Sequence, residues 1–535
     1  MIYSQLKARA EDRPQPPYPR ALVQVGGCTR SVGASRVMEL LREEMERRSL
    51  EGSVVEAGCD GACYQAPVVI IDTEAGQTYR LTRVEPEDVA DLVRGWLGRK
   101  PSSDRKWKGT DTRVDSSGFW SGQTRLVLEN VGQIGATDLD DYVSRGGYSA
   151  LDRVLSSLSP EQAVEQALDA DLKGRGGAYF PAARKWQGAR ATGRSPRYLI
   201  VNAEEGEPGI YKDRHIMEGD PYRLLEGIAI AAYAIGAEVV YLYINGEAHL
   251  SAKRMAEALE KAHADTLVGE NILGTDFGFQ VEVRRGAGGY VLGEESALMN
   301  SIEGQRNVPC TRPPFPVESG LWGHPTVINN VETLANIPNI FAEDSDYFRL
   351  GTDAARGTKI ISLTGRVQRP GLIEVPLGAT ISQIVYDIGG GPPEGHQVWG
   401  IVAGGPSGGL LPASMLDTAI GPGLLDSSGA VLGSGGITVL DDTVSPLEVV
   451  RVLAAYNAAE SCSKCTPCRE GTQRMLASLD RLAEGKGTAA DLDNLTYTSD
   501  IVQFGSLCGL GQMAGGPIKS GLKHFGDEFR SMGIS

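Results

Sequence analysis

Three cysteines at C-x2-C-x2-C spacing, Cys462, Cys465 and Cys468 in ESCSKCTPCREG, constrain this chain more than any other feature, together with Cys508 in GSLCGLGQ. A cubic 4Fe-4S cluster needs four thiolates converging on one site, and two-residue gaps let one tight loop supply three of them. The chain after Cys468 must then fold back to deliver the fourth. Structural zinc usually takes two C-x2-C pairs or cysteines mixed with nearby histidine, and the histidine within reach in sequence is His524. Zinc therefore fits the pattern less well than a cluster, and unliganded or disulfide-bonded thiols fit it least.

A length of 535 residues exceeds what one hydrophobic core organises, so three or more domains are expected in an α/β multidomain chain. A net charge of -16 argues against nucleic acid and against an anionic membrane surface, since either would reward a basic patch. Other proteins are the expected partners. The most apolar stretch, 227–244, is interrupted by Gly236 and Glu238 and reads as a helix, a stop and a buried strand, with no membrane span. The first residues, MIYSQLKARAEDRPQP, hold no apolar signal core, and cluster-spaced cysteines without export point to a reducing cytoplasm.

Residues 1–100 read as a small α/β unit: strands at 21–25, 53–56 and 68–72, an amphipathic helix over 35–48 and a closing helix over 86–97. Cys28 follows the first strand, and Cys59 and Cys63 lie in GCDGACYQAP between later ones. The unit resembles the thioredoxin-like 2Fe-2S domain of NADH-linked oxidoreductases, in which two cysteine pairs emerge from neighbouring loops. Here the first loop offers Cys28 alone, and no histidine precedes His215. The expectation is a degenerate docking domain, with Cys28, Cys59 and Cys63 as the ligands it could still offer a 2Fe-2S cluster. Residues 101–140, rich at first in Ser, Asp, Lys, Arg and Gly, read as a linker.

SPEQAVEQALDA reads as a helix with Ser159 as N-cap and Pro160 at its first position, and it leads into the glycine loop LKGRGGAYFPAARKW. Gly174, Gly176 and Gly177 let backbone amides approach a phosphate, while Arg175 and Lys185 would add charge. As a bare pattern this loop could equally be an ordinary tight turn. The strand at 198–201 then runs into NAEEGEPG, placing Asn202, Glu204, Glu205 and Glu207 at a strand's carboxyl end, the usual ligand crevice of an α/β sheet. A further strand at 279–284 ends in RRGAGGYVLGEES, where Glu294 and Glu295 open a helix and suit its dipole.

GRGGAYFP, VNAEEGEPG, GAGGYVLGEES, RPPFP, PTVINNVETLANIP and SCSKCTPCREGT, in that order, resemble the flavin-bearing NADH-oxidising (diaphorase) subunit of complex I, NAD-reducing hydrogenases and NAD-dependent formate dehydrogenases. The resemblance covers residues 140–525. It implies a Rossmann-like FMN domain over 141–345, a β-grasp domain over 346–440 and a helical bundle over 441–535 that holds a 4Fe-4S cluster on Cys462, Cys465, Cys468 and Cys508. FMN would lie on Gly174, Arg175, Gly176, Lys185, Asn202, Glu204, Gly293, Glu294, Asn329 and Asn330. NAD(H) would meet Phe180, Glu207, Tyr290, Glu295, Arg312 and Phe315, with carboxylates disfavouring the 2'-phosphate of NADP. The flavin does the chemistry, so no catalytic side chain is expected.

The family pattern is broken at Tyr179, where a glycine is usual, at Glu204 in place of Asp, and at Arg312 in place of Lys. Tyr179 is expected beside the flavin or nicotinamide, where it would narrow the pocket or stack on a ring. Cys310 is expected to be buried or inert. The fused N-terminal unit and GGPSGGLLPASMLD point to a formate dehydrogenase or hydrogenase β-type subunit, partnered by iron-sulfur and catalytic subunits. The alternative is a relay or scaffold subunit that binds FMN and no longer uses NAD because Tyr179 closes the site.

Overall fold

The computed structural model describes residues 2–14, 16–74, 76–97, 110–111, 118–422 and 430–533. Its first unit is a five-stranded mixed sheet in the order Ser53–Ala57, Arg20–Gln24, Val68–Asp72, Thr78–Thr82, Thr110–Asp111. The first two strands run parallel and the later pairs antiparallel. The helix Ala34–Arg47 buries Val37, Met38, Leu41 and Met45, spaced three and four apart along one stripe, in the same core as Val23, Val69 and Ile71. A helix over Tyr3–Asp12, unforeseen from the sequence, leaves this unit altogether. Its Leu6 and Ala10 join the core of the central domain, and Arg9 pairs with Asp140 and Asp265, each at 2.7 Å.

The central sheet is fully parallel, in the order Gln280–Arg285, Val239–Ile244, Tyr198–Ala203, Thr326–Asn330. YLIVNA and VVYLYI are near-continuous apolar runs because helices cover both faces of a parallel sheet. The helix Pro221–Ile235 is almost wholly buried and apolar apart from Arg223 and Glu226 in its first half, capped where Asp220 accepts from the Arg223 amide at 3.2 Å. A side chain at Gly227 would come within 2.0 Å of the Leu334 carbonyl, so that glycine lets two helices touch.

A second five-stranded mixed sheet follows, in the order Gly371–Pro376, Thr358–Gly365, Gly436–Asp441, Val398–Ala403, Gly409–Pro412. The helix expected in ATISQIVYDIGG is present but wound with π pitch over Gln383–Ile388, the Gly389 amide reaching the Ile384 carbonyl at 3.0 Å. Four long helices, Pro446–Ala459, Thr466–Ala483, Ala489–Gly505 and Gly516–Gly533, form the terminal bundle. Its core of Val450, Leu479, Leu495, Val502 and Phe529 is continuous with Val402, Leu410 and Leu440 of the second sheet. No described helix is long and apolar enough to cross a membrane.

The stretch expected as a linker, 101–140, behaves differently in its two halves. Residues 101–109 and 112–117 lie outside the described residues. From residue 118 onward the chain is a packed strap: Phe119 enters the core of the second sheet, and Val127, Leu128, Val131 and Ile134 enter the central core. The buried Glu374 carboxylate accepts from the amides of Val127 at 3.0 Å and Leu128 at 2.9 Å, which pins the strap across both domains.

Candidate functional site

In a parallel sheet of this order the connections on either side of the first strand leave in opposite directions, and the crevice opens at the strands' carboxyl ends. That point falls between Tyr198–Ala203 and Thr326–Asn330, where Asn202 stands in register with Asn330. A cleft of about 1110 Å³ opens there. Gly176, Asn202, Glu204, Gly293, Glu294 and Asn330, all proposed from the sequence for FMN, line it, as do Glu207 and Tyr290, proposed for NAD. Asn202 donates to the Gly293 carbonyl at 2.9 Å, and Asn330 donates to Asp213 at 2.7 Å. The two asparagines thereby tie the loops of three motifs together.

The cleft wall is rich in carboxylates whose charge is not fully compensated. Burial pushes the Glu204 carboxyl up to about 7 against a hydrogen bond from Asn245, and its Oε2 is buried with no partner. Glu207 is raised by burial too, while Ser434 and Tyr290 donate to it, Tyr290 from 2.8 Å. An orphaned buried acceptor at a parallel-sheet switch point suits a hydroxyl-rich ligand. Gly176 completes the cradle: a Cβ there would meet the Asn330 Cβ at 3.1 Å and force it to give way. These residues fit FMN.

Other residues proposed from the sequence stand elsewhere. The Arg175 side chain is fully buried and donates to the carbonyls of Lys173 and Arg356, at 2.9 and 2.8 Å, so its charge does not face the cleft. Gly174 is held to the Phe180 carbonyl by its amide at 2.9 Å. Lys185 pairs with Glu295 and donates to the Ile328 carbonyl, and Asn329 accepts from the Trp186 indole at 2.9 Å. Arg312 bridges Glu294 at 2.7 Å and Glu295 at 3.1 Å. Phe180 and Phe315 are half-exposed, which leaves their rings free to stack on a ligand. Cys310, expected buried or inert, is exposed.

Tyr179 is placed differently from the expectation. It adopts a left-handed backbone, φ 54°, and its ring packs against the core of the second sheet, off the cleft wall. That backbone turn sends the side chain away from the loop's glycines. Conversely, Gly404, Ser407, Gly433 and Ser434 of the second sheet do line the cleft. In sequence these glycine-rich turns look like plain strand connections. Only the docking of Ser434 and Ser407 on Glu207 and Tyr290 reveals them as part of the site.

The four cluster cysteines surround a second cavity of about 280 Å³, bordered by Val291, Pro309, Lys464 and Leu510. Cys462, Cys465 and Cys468 arrive on the loop that starts the helix Thr466–Ala483, and Cys508 caps the short helix Gly509–Met513. Burial pushes the Cys468 thiol up to about 11, reinforced by the other three sulfurs around it. No three of these Sγ atoms form a group within 4.8 Å of one another among the described residues, a wider spread than one zinc ion spans. The donor set suits a 4Fe-4S cluster. Val291, Cys508 and Leu510 line both this cavity and the larger cleft, so one layer of side chains separates them.

The N-terminal thiols are not isolated either. Cys59 and Cys63 lie beside His215 of the central domain, with their ligand atoms and a ring nitrogen of His215 all within 4.8 Å of one another. Sequence distance hid this histidine, which sits some 150 residues downstream of them.

The "Nuo51 FMN-binding domain" family matches residues 168–339, the "NADH-ubiquinone oxidoreductase-F iron-sulfur binding region" 448–532, and the "SLBB domain" 360–411. The chain is 43% identical over 410 residues to the HndC component of the NADP-reducing hydrogenase of Solidesulfovibrio fructosivorans, covering 76% of this chain and 83% of that one. It is 41% identical over 405 residues to the F 2 component of the NADH-quinone oxidoreductase of Rhizobium meliloti, covering 76% and 96%. A crystal structure of an NAD+-reducing [NiFe]-hydrogenase in the H2-reduced state superposes with a TM-score of 0.68 at 28% identity, over 99% of this chain and 87% of that one. The chain therefore belongs to the family of flavin-bearing NADH-oxidising subunits, with an FMN-binding domain and a 4Fe-4S region, that feed electrons to partner subunits in complex I-like and hydrogenase assemblies.

Proposed function

We propose that this chain is the diaphorase subunit of a redox assembly of the formate dehydrogenase or hydrogenase type, exchanging electrons between NAD(H) and its partners. The observation that carries the reading is the wall shared by the two cavities, Val291, Cys508 and Leu510. A flavin held in the larger cleft and a cluster held by the four cysteines would be separated by that layer of side chains.

Bound FMN supplies the interconversion of a two-electron hydride and single electrons. The chain's own part is to hold and orient. Gly176, Asn202, Glu204, Gly293, Glu294 and Asn330 would hold the flavin nucleotide. Glu207 and Tyr290, fixed by Ser434 and Ser407, would accept from and donate to ribose hydroxyls of the dinucleotide, and Phe180 and Phe315 would stack. Cys462, Cys465, Cys468 and Cys508 would ligate the 4Fe-4S cluster. No side chain need act as acid or base.

We take the domains as residues 1–100, 141–345, 346–440 and 441–535, with 101–140 between the first two and the helix Tyr3–Asp12 lent to the central core. Two features favour a hydrogenase-like or formate dehydrogenase-like assembly: the fused N-terminal sheet and the superposition on a hydrogenase chain over 99% of this one. The relay alternative rests on Tyr179, and Tyr179 does not face the cleft. Purified chain should contain FMN with about four irons and reduce ferricyanide with NADH, the flavin bleaching on anaerobic addition of NADH. Iron without flavin, or flavin inert to NADH, sinks the proposal.

A further inference from the structure

We propose that Cys59, Cys63 and His215 are ligands of a second metal centre at the junction of the N-terminal and central domains, with Cys28 closing its fourth position. The chemistry is that of a single thiophilic divalent ion, zinc above all, on thiolate and imidazole: donors this close to one another fit one metal, whereas ligands on the two irons of a binuclear cluster stand farther apart.

The donors are convergent. The sulfurs of Cys59 and Cys63 and a ring nitrogen of His215 lie within 4.8 Å of one another, and a metal with bonds of about 2.0 to 2.3 Å reaches donors spaced this closely. Cys59 and His215 are each 4% exposed. Cys28, exposed and outside that close group, comes from the neighbouring loop and would supply the remaining thiol.

The imidazole is prepared for ligation. His215 Nδ1 lies 2.9 Å from the Tyr211 carbonyl, which can only accept, so Nδ1 carries the proton and Nε2 keeps its lone pair. That Nε2 is buried, with no hydrogen bond of normal geometry and the Cys59 thiol beside it. A backbone carbonyl on the far nitrogen is the arrangement that fixes tautomer and ring orientation in metal-bound histidines. A histidine that merely filled the core would be expected to have its second nitrogen hydrogen-bonded.

The ligands are held by close contact of three segments. A Cβ on Gly58 would lie 2.3 Å from the Gly219 Cα, so the Cys59 loop rests on the end of the helix Lys212–Gly219 that carries His215. The Gly27 amide donates to Glu218 at 2.7 Å, and Arg254 donates to the Val25 carbonyl at 2.7 Å, drawing the Cys28 loop onto the same helix. The His215 helix also supplies Asp213 to the flavin cleft, two residues away or about 3 Å along the helix axis. The ion clamps the two domains, and the thiols lose their protons to the solvent on binding.

The test is metal and acid-labile sulfide analysis of the full chain purified anaerobically with FMN bound. About one zinc, with iron and sulfide at the about four of the bundle cluster, identifies the mononuclear site, whereas two further irons and two further sulfides without zinc overturn it. His215→Ala should lose that additional metal while keeping FMN and the bundle iron, and His215→Cys should regain it. If His215→Ala does not fold, Cys63→Ser, at a less buried position, is read in the same way. Wild-type protein with only the bundle iron and no zinc, or His215→Ala that keeps the extra metal, overturns the proposal.

Discussion

The backbone amide of Tyr290 donates to the Glu460 carboxylate across 2.8 Å, joining the loop beside the flavin cleft to the residue that leads into the cluster loop. The Tyr290 and Tyr456 rings meet edge to face at 5.9 Å beside it, and the Tyr456 hydroxyl donates to the Gly206 carbonyl at 3.0 Å. Bundle and FMN domain are thus aligned by a contact whose loss should be felt in both stability and electron flow. Glu460→Ala should lower unfolding free energy by about 1 to 3 kcal/mol, as expected for a charge-assisted hydrogen bond. It should also slow cluster reduction after flavin reduction, read by stopped-flow absorbance with NADH. Unchanged cluster kinetics would count against an aligning role.

Cys508 supplies a wall to both cavities, so its replacement separates the two cofactors' fates. Cys508→Ser should lose most of the about four bundle irons while FMN remains bound and still bleaches with NADH. Retention of the full iron complement in that variant would remove Cys508 from the ligand set.

Glu207, held by Ser434 and Tyr290, lines the cleft, and on the proposed reading it meets the adenosine ribose. A carboxylate there accepts from a free 2'-hydroxyl and repels a 2'-phosphate, so NADH should exceed NADPH by about tenfold or more in kcat/KM. Glu207→Gln should narrow the ratio chiefly through KM for NADH. Comparable rates with both nucleotides in the wild type contradict this placement.

Glu204 carries a pH signature. Its folded-state value, raised to about 7 by burial, lies above the ordinary carboxylate value of 4.5. The folded chain therefore holds a proton that the unfolded chain releases, so this contribution to stability is full below pH 4.5 and lost as pH rises through 7. Urea unfolding of the flavin-free chain should show stability falling between these values, and Glu204→Gln should flatten that slope. An identical slope in the variant assigns the proton to another group.

The Tyr179 hydroxyl is buried with no hydrogen-bond partner. Removing an unpaired hydroxyl from an apolar core relieves its desolvation cost, so Tyr179→Phe should be neutral or stabilising, by about 0 to 1 kcal/mol, with NADH oxidation unchanged. Tyr179→Ala should instead cost about 3 to 5 kcal/mol through the cavity it leaves. A large gain of NADH activity in either variant would return Tyr179 to the cleft.

Much of this site is legible locally. The cluster loop, the asparagines and glutamates at strand ends and the glycine turns all announce themselves within a dozen residues, because tight turns and ligand-binding strand ends depend on neighbours in the chain. Arg175 shows where such reading stops: its position in the loop is visible in sequence, but its guanidinium turns inward to the Arg356 carbonyl, a partner 181 residues away. The strap at 118–140 escapes local reading for the same reason, since its polar start conceals that Leu128 and Val131 fit a distant core.

Contiguous residues settle the cysteine spacing of the cluster loop, the parallel αβ order and the glycine-rich cofactor loops, because spacing and periodicity belong to neighbours along the chain. What meets across domains is settled only by packing: Ser434 on Glu207, Tyr179 turned into the second core, and His215 brought to Cys59 and Cys63. Those contacts depend on how separate sheets stack, and side-chain burial and pairing at such junctions are set by shape and desolvation over the whole chain.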